Sequence, residues 1–135
     1  METLFQATLV YLPQDIGAMS GSAYNSALIA FGSDGTVLNT SFEYDGSSWT
    51  AGGTASTARA RLGSAGTQTA GIAFGGSLQT TAFNQTATEE YDGSSWTAGG
   101  ALSTGRSNFL GSFGTQTAAV AASGTSTTLA APGET

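Results

Sequence analysis

Glu43-Tyr-Asp-Gly-Ser-Ser-Trp-Thr-Ala-Gly-Gly53 recurs without a change as Glu90-Tyr-Asp-Gly-Ser-Ser-Trp-Thr-Ala-Gly-Gly100, an offset of 90 − 43 = 47 residues. Eleven consecutive identities mark an internal repeat. Arg59 answers to Arg106 at the same offset, whereas Gly66-Thr-Gln-Thr-Ala70 answers to Gly114-Thr-Gln-Thr-Ala118 at 48. One inserted residue therefore separates the two landmarks, as a loop or bulge would. A weaker echo lies upstream: Ser26-Ala-Leu-Ile-Ala-Phe-Gly32 aligns with Thr69-Ala-Gly-Ile-Ala-Phe-Gly75 at 43, and that stretch with Thr117-Ala-Ala-Val-Ala-Ala-Ser123 at 48. A period of about 40–50 residues made of short strands is the pattern of propeller blades rather than of helical solenoids.

Within one unit the segments are short, lie between Gly-rich or Asp-Gly breaks and favour β-branched, aromatic and small residues, which predicts strands. The clearest unit divides into four, at 59–65, 68–75, 84–91 and 94–98. Asp45-Gly46 and Asp92-Gly93 fall between an aromatic strand and a Ser-Ser-Trp strand, where a hairpin turn needs a positive φ that glycine adopts without steric cost. Two hairpins per unit make a small antiparallel sheet whose faces must be covered by neighbouring sheets.

The bulk composition agrees. The chain has 135 residues, the size of one domain, and leucine is scarce, so a large helical core is poorly supplied. Charged residues are 9% of the chain, with three arginines, no lysine and a net charge of −6. That balance argues against nucleic acid as a partner, because no basic footprint for phosphates exists. Disordered segments are short of aromatics, whereas aromatics make up 10% of this chain and recur at repeating positions, which favours order. No stretch approaches the roughly 18–20 uninterrupted apolar residues of a spanning helix, so membrane insertion is not expected. The first residues lack a basic region and have apolar positions interrupted by Gln6 and Thr8, and they do not read as a signal peptide.

Catalytic chemistry is poorly provided for. With no His, Lys or Cys, the commonest general base, the amine and thiolate nucleophiles and the best zinc ligands are missing. Glu89 and Glu90 are adjacent on a strand and point to opposite faces, while Asp45 and Asp92 occupy equivalent turns of different units, so neither pair converges as an acid/base dyad. The three Asp-Gly pairs, at 34–35, 45–46 and 92–93, lack the clustered oxygen donors of a calcium loop. Gly52-Gly53 and Gly99-Gly100 have no phosphate-loop context and read as connectors. No catalytic residue, metal or cofactor is expected.

The combination of a strand ending in Gly75-Gly76, a Glu-Tyr-Asp run, a Trp five residues after the Tyr, and an Arg opening the next unit resembles the kelch repeat. The resemblance covers residues 17 to 124 and implies all-β, kelch-like β-propeller blades. It assigns structural roles to Tyr44, Trp49, Arg59, Gly75, Gly76, Tyr91, Trp96 and Arg106: the Tyr and Trp residues between blades, the di-glycine at the end of the second strand, the Arg near the start of the next blade. Gly32-Ser33 in the first unit and Ser123-Gly124 in the last stand in place of Gly-Gly. The wording of the repeat is also similar to kelch-like repeats of phage and marine-virus structural proteins.

On this reading the chain is a single domain, 1–135, with an N-terminal segment (1–16), a first blade (17–53), a second (54–100), a partial third (101–124) and a C-terminal tail (125–135). Leu4, Val10 and Leu12 could add a strand to an incomplete sheet, ended by Pro13. About two complete four-stranded blades and a partial one cannot close a ring of about six. Open edges and faces call for cover by another copy of the chain, by other proteins of a larger assembly, or by the rest of a longer chain. The expected role is a non-enzymatic structural or interaction protein of a virion, such as a capsid-decoration or tail-fibre component, in a virion or extracellular location. The alternative is a carbohydrate-binding propeller module. For recognition, the variable loop Ser77–Gln85 with Phe83 and Asn84 is the candidate, because loops carry function on rigid scaffolds.

Overall fold

The computed structural model describes residues 18–23, 26–78, 83–108 and 111–126, which hold ten strands and no helix. These are β1 (Ala18–Ala23), β2 (Ser26–Ala30), β3 (Ser41–Tyr44), β4 (Trp49–Ala51), β5 (Gly63–Thr67), β6 (Ala70–Phe74), β7 (Thr88–Tyr91), β8 (Trp96–Ala98), β9 (Gly111–Thr115) and β10 (Ala118–Ala122). They form three antiparallel sheets, ordered β1-β2-β3-β4, β5-β6-β7-β8 and β10-β9, with every paired strand next to its neighbour in sequence. The described structure is all-β, and among the described residues no sheet closes on itself.

The repeated sequence builds the repeated hairpin. In β3–β4, Tyr44 pairs with Trp49 across a four-residue loop, and Asp45 Oδ1 accepts the N–H groups of Ser47 and Ser48, both at 2.8 Å. In β7–β8, Tyr91 pairs with Trp96, and Asp92 Oδ1 accepts the Ser94 and Ser95 N–H groups at 2.9 and 2.8 Å. The short aspartate side chain thus takes over donors that no strand partner satisfies, as turn-forming residues do. Gly46 and Gly93 carry the positive φ, 98° and 94°. The other repeated wording, Gly-Thr-Gln-Thr-Ala, makes the tighter β5–β6 and β9–β10 hairpins, in which Thr67 pairs with Ala70 and Thr115 with Ala118.

Strand pairing shifts the upstream alignment by one residue. Tyr44 pairs with Ala27 and Tyr91 with Gly71, so Ala27 corresponds to Gly71 at an offset of 44, not 43. The counterpart of Gly75-Gly76 in the first sheet is therefore Phe31-Gly32 rather than Gly32-Ser33. All three copies keep two consecutive positive φ values: 62° and 108° at Phe31-Gly32, 69° and 94° at Gly75-Gly76, 65° and 89° at Ser123-Gly124. A bulky residue in this region is strained. Phe31 is held there with no solvent exposure, its ring edge-to-face with Trp96 at 5.2 Å.

The strands are also shorter than expected. Arg59 lies ahead of β5, in a segment whose backbone is bridged at Ala60 to Ser77, and residues 84–87 precede β7. The change of offset from 47 to 48 falls between Asn108 and Gly111, since Ala60 corresponds to Ser107 by their bridges to Ser77 and Thr125, and Gly63 to Gly111 by strand position. The expected N-terminal strand (Leu4, Val10, Leu12), residues 79–82 of the variable loop and all but the first two residues of the tail lie outside the described residues.

The sheets stack with equivalent strands together: β1 lies against β5, and β5 against β9. Between them the core is thin. Ala30, Phe31, Ala55, Leu62 and Ala73 form its buried cluster, with Trp96 packed against it. Three of these five are alanine, each burying little apolar area, so polar contacts carry an unusual share of what fixes one sheet on the next.

Candidate interaction surface

The side chains singled out by the repeat converge on the contact between the first and second sheets. On β7, Glu89 and Tyr91 face the first sheet while Thr88 and Glu90 face away, as strand alternation requires. On β3, Ser41 and Glu43 face the second sheet. Tyr91 is fully buried and its Oη donates to Glu43 Oε1 while accepting the Gly53 N–H at 3.3 Å. Burial and the bond to the Glu43 carboxylate push the Tyr91 phenol pKa up. Trp96 stacks on Tyr91 at 4.9 Å, and its indole N–H donates to Ser41 Oγ at 3.3 Å. Ser41 Oγ in turn donates to the Gly53 carbonyl at 2.5 Å.

Gly53 must be glycine for a steric reason. A Cβ there would strike the Ser94 carbonyl and come within 3.0 Å of Ser95 Cα, so the Asp92–Ser95 turn of the second sheet sits directly on the Gly52-Gly53 backbone of the first.

Arg59 secures the same contact from beneath. Its guanidinium is fully buried, 5.2 Å over the Phe31 ring, with Nη1 donating to the carbonyls of Gly75 and Ala87, both at 2.8 Å, and Nη2 to Glu89 Oε2 at 2.6 Å. Glu89 Oε1 accepts the N–H and Oγ–H of Ser56 at 2.7 and 2.8 Å, so both carboxylate oxygens are satisfied. Burial lowers the Arg59 pKa and the Glu89 carboxylate opposes the shift. The partner of Arg59 is thus Glu89 together with two carbonyls. Glu43 meets Tyr91 instead.

The sequence reading missed the two glutamines of the Gly-Thr-Gln-Thr-Ala turns. Gln68 donates to the Tyr44 carbonyl at 2.9 Å and accepts from Ser26 Oγ at 2.9 Å, tying the second sheet to the first. Gln116 donates to the carbonyls of Gly71 at 3.0 Å and Tyr91 at 2.8 Å, tying the third sheet to the second in the same way. The repetition of glutamine at the tip of both hairpins was the available signal.

Among the described residues, no further sheet joins the outer copies of these residues. Tyr44 and Trp49 stack on each other at 5.1 Å on the outward side of the first sheet, both half-buried. Among the described residues, Arg106, the counterpart of Arg59, makes one long side-chain contact, 3.4 Å to the Ser123 carbonyl. On the third sheet Phe113 and Val120 are cross-strand partners, 63% and 44% exposed. In the variable loop Phe83 is exposed, whereas Asn84, at φ 59°, accepts a hydrogen bond from Ser107 Oγ at 2.7 Å.

Among the described residues no three acidic side chains gather as a metal-binding group, and no helix is long and apolar enough to cross a membrane. A scan against protein-family models and a search of curated proteins found no match for the chain.

Proposed function

We propose that this chain is a non-enzymatic scaffold that stacks kelch-like sheets and extends the stack to other polypeptides through the contacts it uses internally. The observation that carries this reading is that one set of residues appears both joined and unjoined in the same molecule. Tyr91 and Arg59 are buried, and Trp96 partly buried, between two sheets, while Tyr44, Trp49 and Arg106, at equivalent positions, meet no further sheet among the described residues. The exposed Phe113–Val120 pair adds apolar surface at the far end of the stack. The side-by-side placement of β1, β5 and β9 supports blades arranged about a common axis, and the likeness of the repeat to viral structural proteins supports a virion component, in capsid decoration or a tail fibre.

Light scattering on the purified chain tests this. A discrete oligomer, or a monomer that binds a particle protein, is the expected outcome. A monomer that binds no other chain overturns the reading. Exposed Phe83 favours one alternative, a glycan-binding module, which a glycan array would reveal as binding that disappears in Phe83→Ala.

A further inference from the structure

Asp-Gly occurs at 34–35, 45–46 and 92–93, and the fold puts the three pairs in unequal surroundings. An aspartate before glycine is prone to rearrange its main chain, because glycine has no side chain to hinder attack by its own amide nitrogen. That nitrogen attacks the aspartate Cγ: an N–Cγ bond forms, a Cγ–O bond breaks, and the carboxyl hydroxyl leaves as water with the amide proton. Water then adds to the main-chain carbonyl carbon of the cyclic imide and the C–N bond there breaks, so the chain now runs through the aspartate Cβ and Cγ. Nothing is oxidised or reduced, and the product, isoaspartate, has the mass of the starting chain. The step needs a neutral carboxyl group able to rotate onto the next nitrogen, with room for the ring and for water.

Asp45 and Asp92 are held away from that geometry. Asp45 Oδ1 accepts the N–H and Oγ–H of Ser47 and the N–H of Ser48, all at 2.8 Å, and Oδ2 accepts Ser48 Oγ–H at 3.3 Å. Asp92 Oδ1 accepts the N–H and Oγ–H of Ser94 at 2.9 and 2.8 Å and the N–H of Ser95 at 2.8 Å, and Oδ2 accepts Ser95 Oγ–H at 3.1 Å. Turning either carboxyl group toward the following glycine breaks its whole set. The same bonds keep both groups at about 2, so the neutral acid is scarce at neutral pH. The Asp92 turn is also packed, with Ser94 against Gly53 and a Cβ on Gly93 only 3.3 Å from that of Thr69.

The Asp34 carboxylate has weaker ties. Among the described residues it accepts from Thr36, whose N–H and Oγ–H lie at 3.3 and 3.1 Å from Oδ1. Asp34, Gly35 and Thr36 are all exposed, and a Cβ on Gly35 would meet nothing within 4 Å. The Gly35 N–H points at Ser33 Oγ, 3.3 Å away, an acceptor already facing the proton that the attack releases.

We infer that Asp34 is a site of isoaspartate formation in the folded protein, and that the turn bonds protect Asp45 and Asp92 from the same reaction. The added main-chain atoms fall between Ser33 and Val37, whose bridge closes this loop. Just before them, the Gly32 N–H donates to the Arg59 carbonyl at 3.1 Å, and the Arg59 N–H donates to the Leu38 carbonyl at 3.1 Å, so the altered loop borders the segment that carries the buried arginine. The modified residue is of the class that isoaspartate-specific carboxyl methyltransferases accept.

The test ages the full chain at neutral pH, folded and in urea, and digests samples with an endoprotease that cleaves before aspartate but not before isoaspartate. Mass spectrometry then gives the uncleaved fraction at each of the three sites, and label from an isoaspartate-specific methyltransferase gives a second readout. In urea the three sites should rearrange at similar rates. In the folded protein Asp34 should keep a rate near its urea value, while Asp45 and Asp92 slow by about tenfold or more, the effect on a barrier of one hydrogen bond to a charged group. The double variant Ser47→Ala, Ser48→Ala, which removes both hydroxyl bonds to Asp45, should speed rearrangement there relative to its own urea rate and leave Asp34 and Asp92 unchanged. Asp34 slowed by folding as much as the other two, or equal folded rates at all three, overturns the assignment of the site. An Asp45 rate indifferent to loss of the serine hydroxyls overturns the protective role of the turn bonds.

Discussion

At the scale of single residues, the protein contains a matched pair that separates burial from identity. Arg59 and Arg106 occupy the same position of the repeat, yet Arg59 is fully buried with a carboxylate and two carbonyls, while Arg106 is half-buried and has, among the described residues, one distant carbonyl. Removing one partner of a buried ion pair leaves an uncompensated charge and costs about 3–5 kcal/mol, whereas surface substitutions usually fall within about 0.5 kcal/mol. Arg59→Gln should therefore lower the urea midpoint steeply and Arg106→Gln should scarcely move it, in paired denaturation curves. Equal effects would mean that the Glu89 pair contributes nothing to holding the first two sheets together. Sequence alone cannot make this distinction, because the partner, Glu89, lies 30 positions away. Residue spacing offers Glu43, Glu90, the nearby aspartates or a backbone carbonyl as partners of the arginines; the two carbonyls that Arg59 meets are of the last kind, and Glu89 is outside the set.

At the scale of elements, local sequence was most legible where structure is local. The Asp-Gly-Ser-Ser turns and the hairpins around them follow from side chains hydrogen-bonding their own backbone, and the eleven-residue identity fixes two of them at once. Phe31 shows where legibility ends. It holds a conformation that glycine holds in the second sheet, because Trp96 and Arg59, brought in by the next unit, enclose its ring; aligning Phe with Phe therefore misplaced the strand by one residue. The turns have a testable acid sensitivity. The bonds from Ser47, Ser48, Ser94 and Ser95 hold the carboxyls of Asp45 and Asp92 at about 2, below their ordinary 3.8. Because the folded pKa is depressed, the stabilisation is complete above pH ~4 and is lost as pH falls through about 2. Amide chemical shifts of Ser47, Ser48, Ser94 and Ser95 should titrate in that range and stay flat in Asp45→Asn and Asp92→Asn. A midpoint near 4 would show that the turn bonds do not form in solution.

At the scale of the whole molecule, a stack in which each sheet packs chiefly on the next is stable as a sum of sheets and interfaces, so its parts open unequally. The first and second sheets share the Tyr91, Trp96, Arg59 and Gln68 contacts. The third has two strands whose residues are mostly exposed, held by Gln116, by the Ser64 N–H bond to Ser112 Oγ at 3.0 Å and by the Ser107–Thr125 bridge. A two-stranded hairpin is marginal on its own, so its persistence depends on these anchors. Amides of residues 111–122 should exchange about a hundredfold or more faster than those of β6, by hydrogen-exchange mass spectrometry. Gln116→Ala, which frees the hairpin tip from the Gly71 and Tyr91 carbonyls, should speed exchange there further and leave β3 unchanged. Equal protection in all three sheets would contradict the nearest-neighbour description, and uniform acceleration by Gln116→Ala would mean that the stack opens as a single cooperative unit.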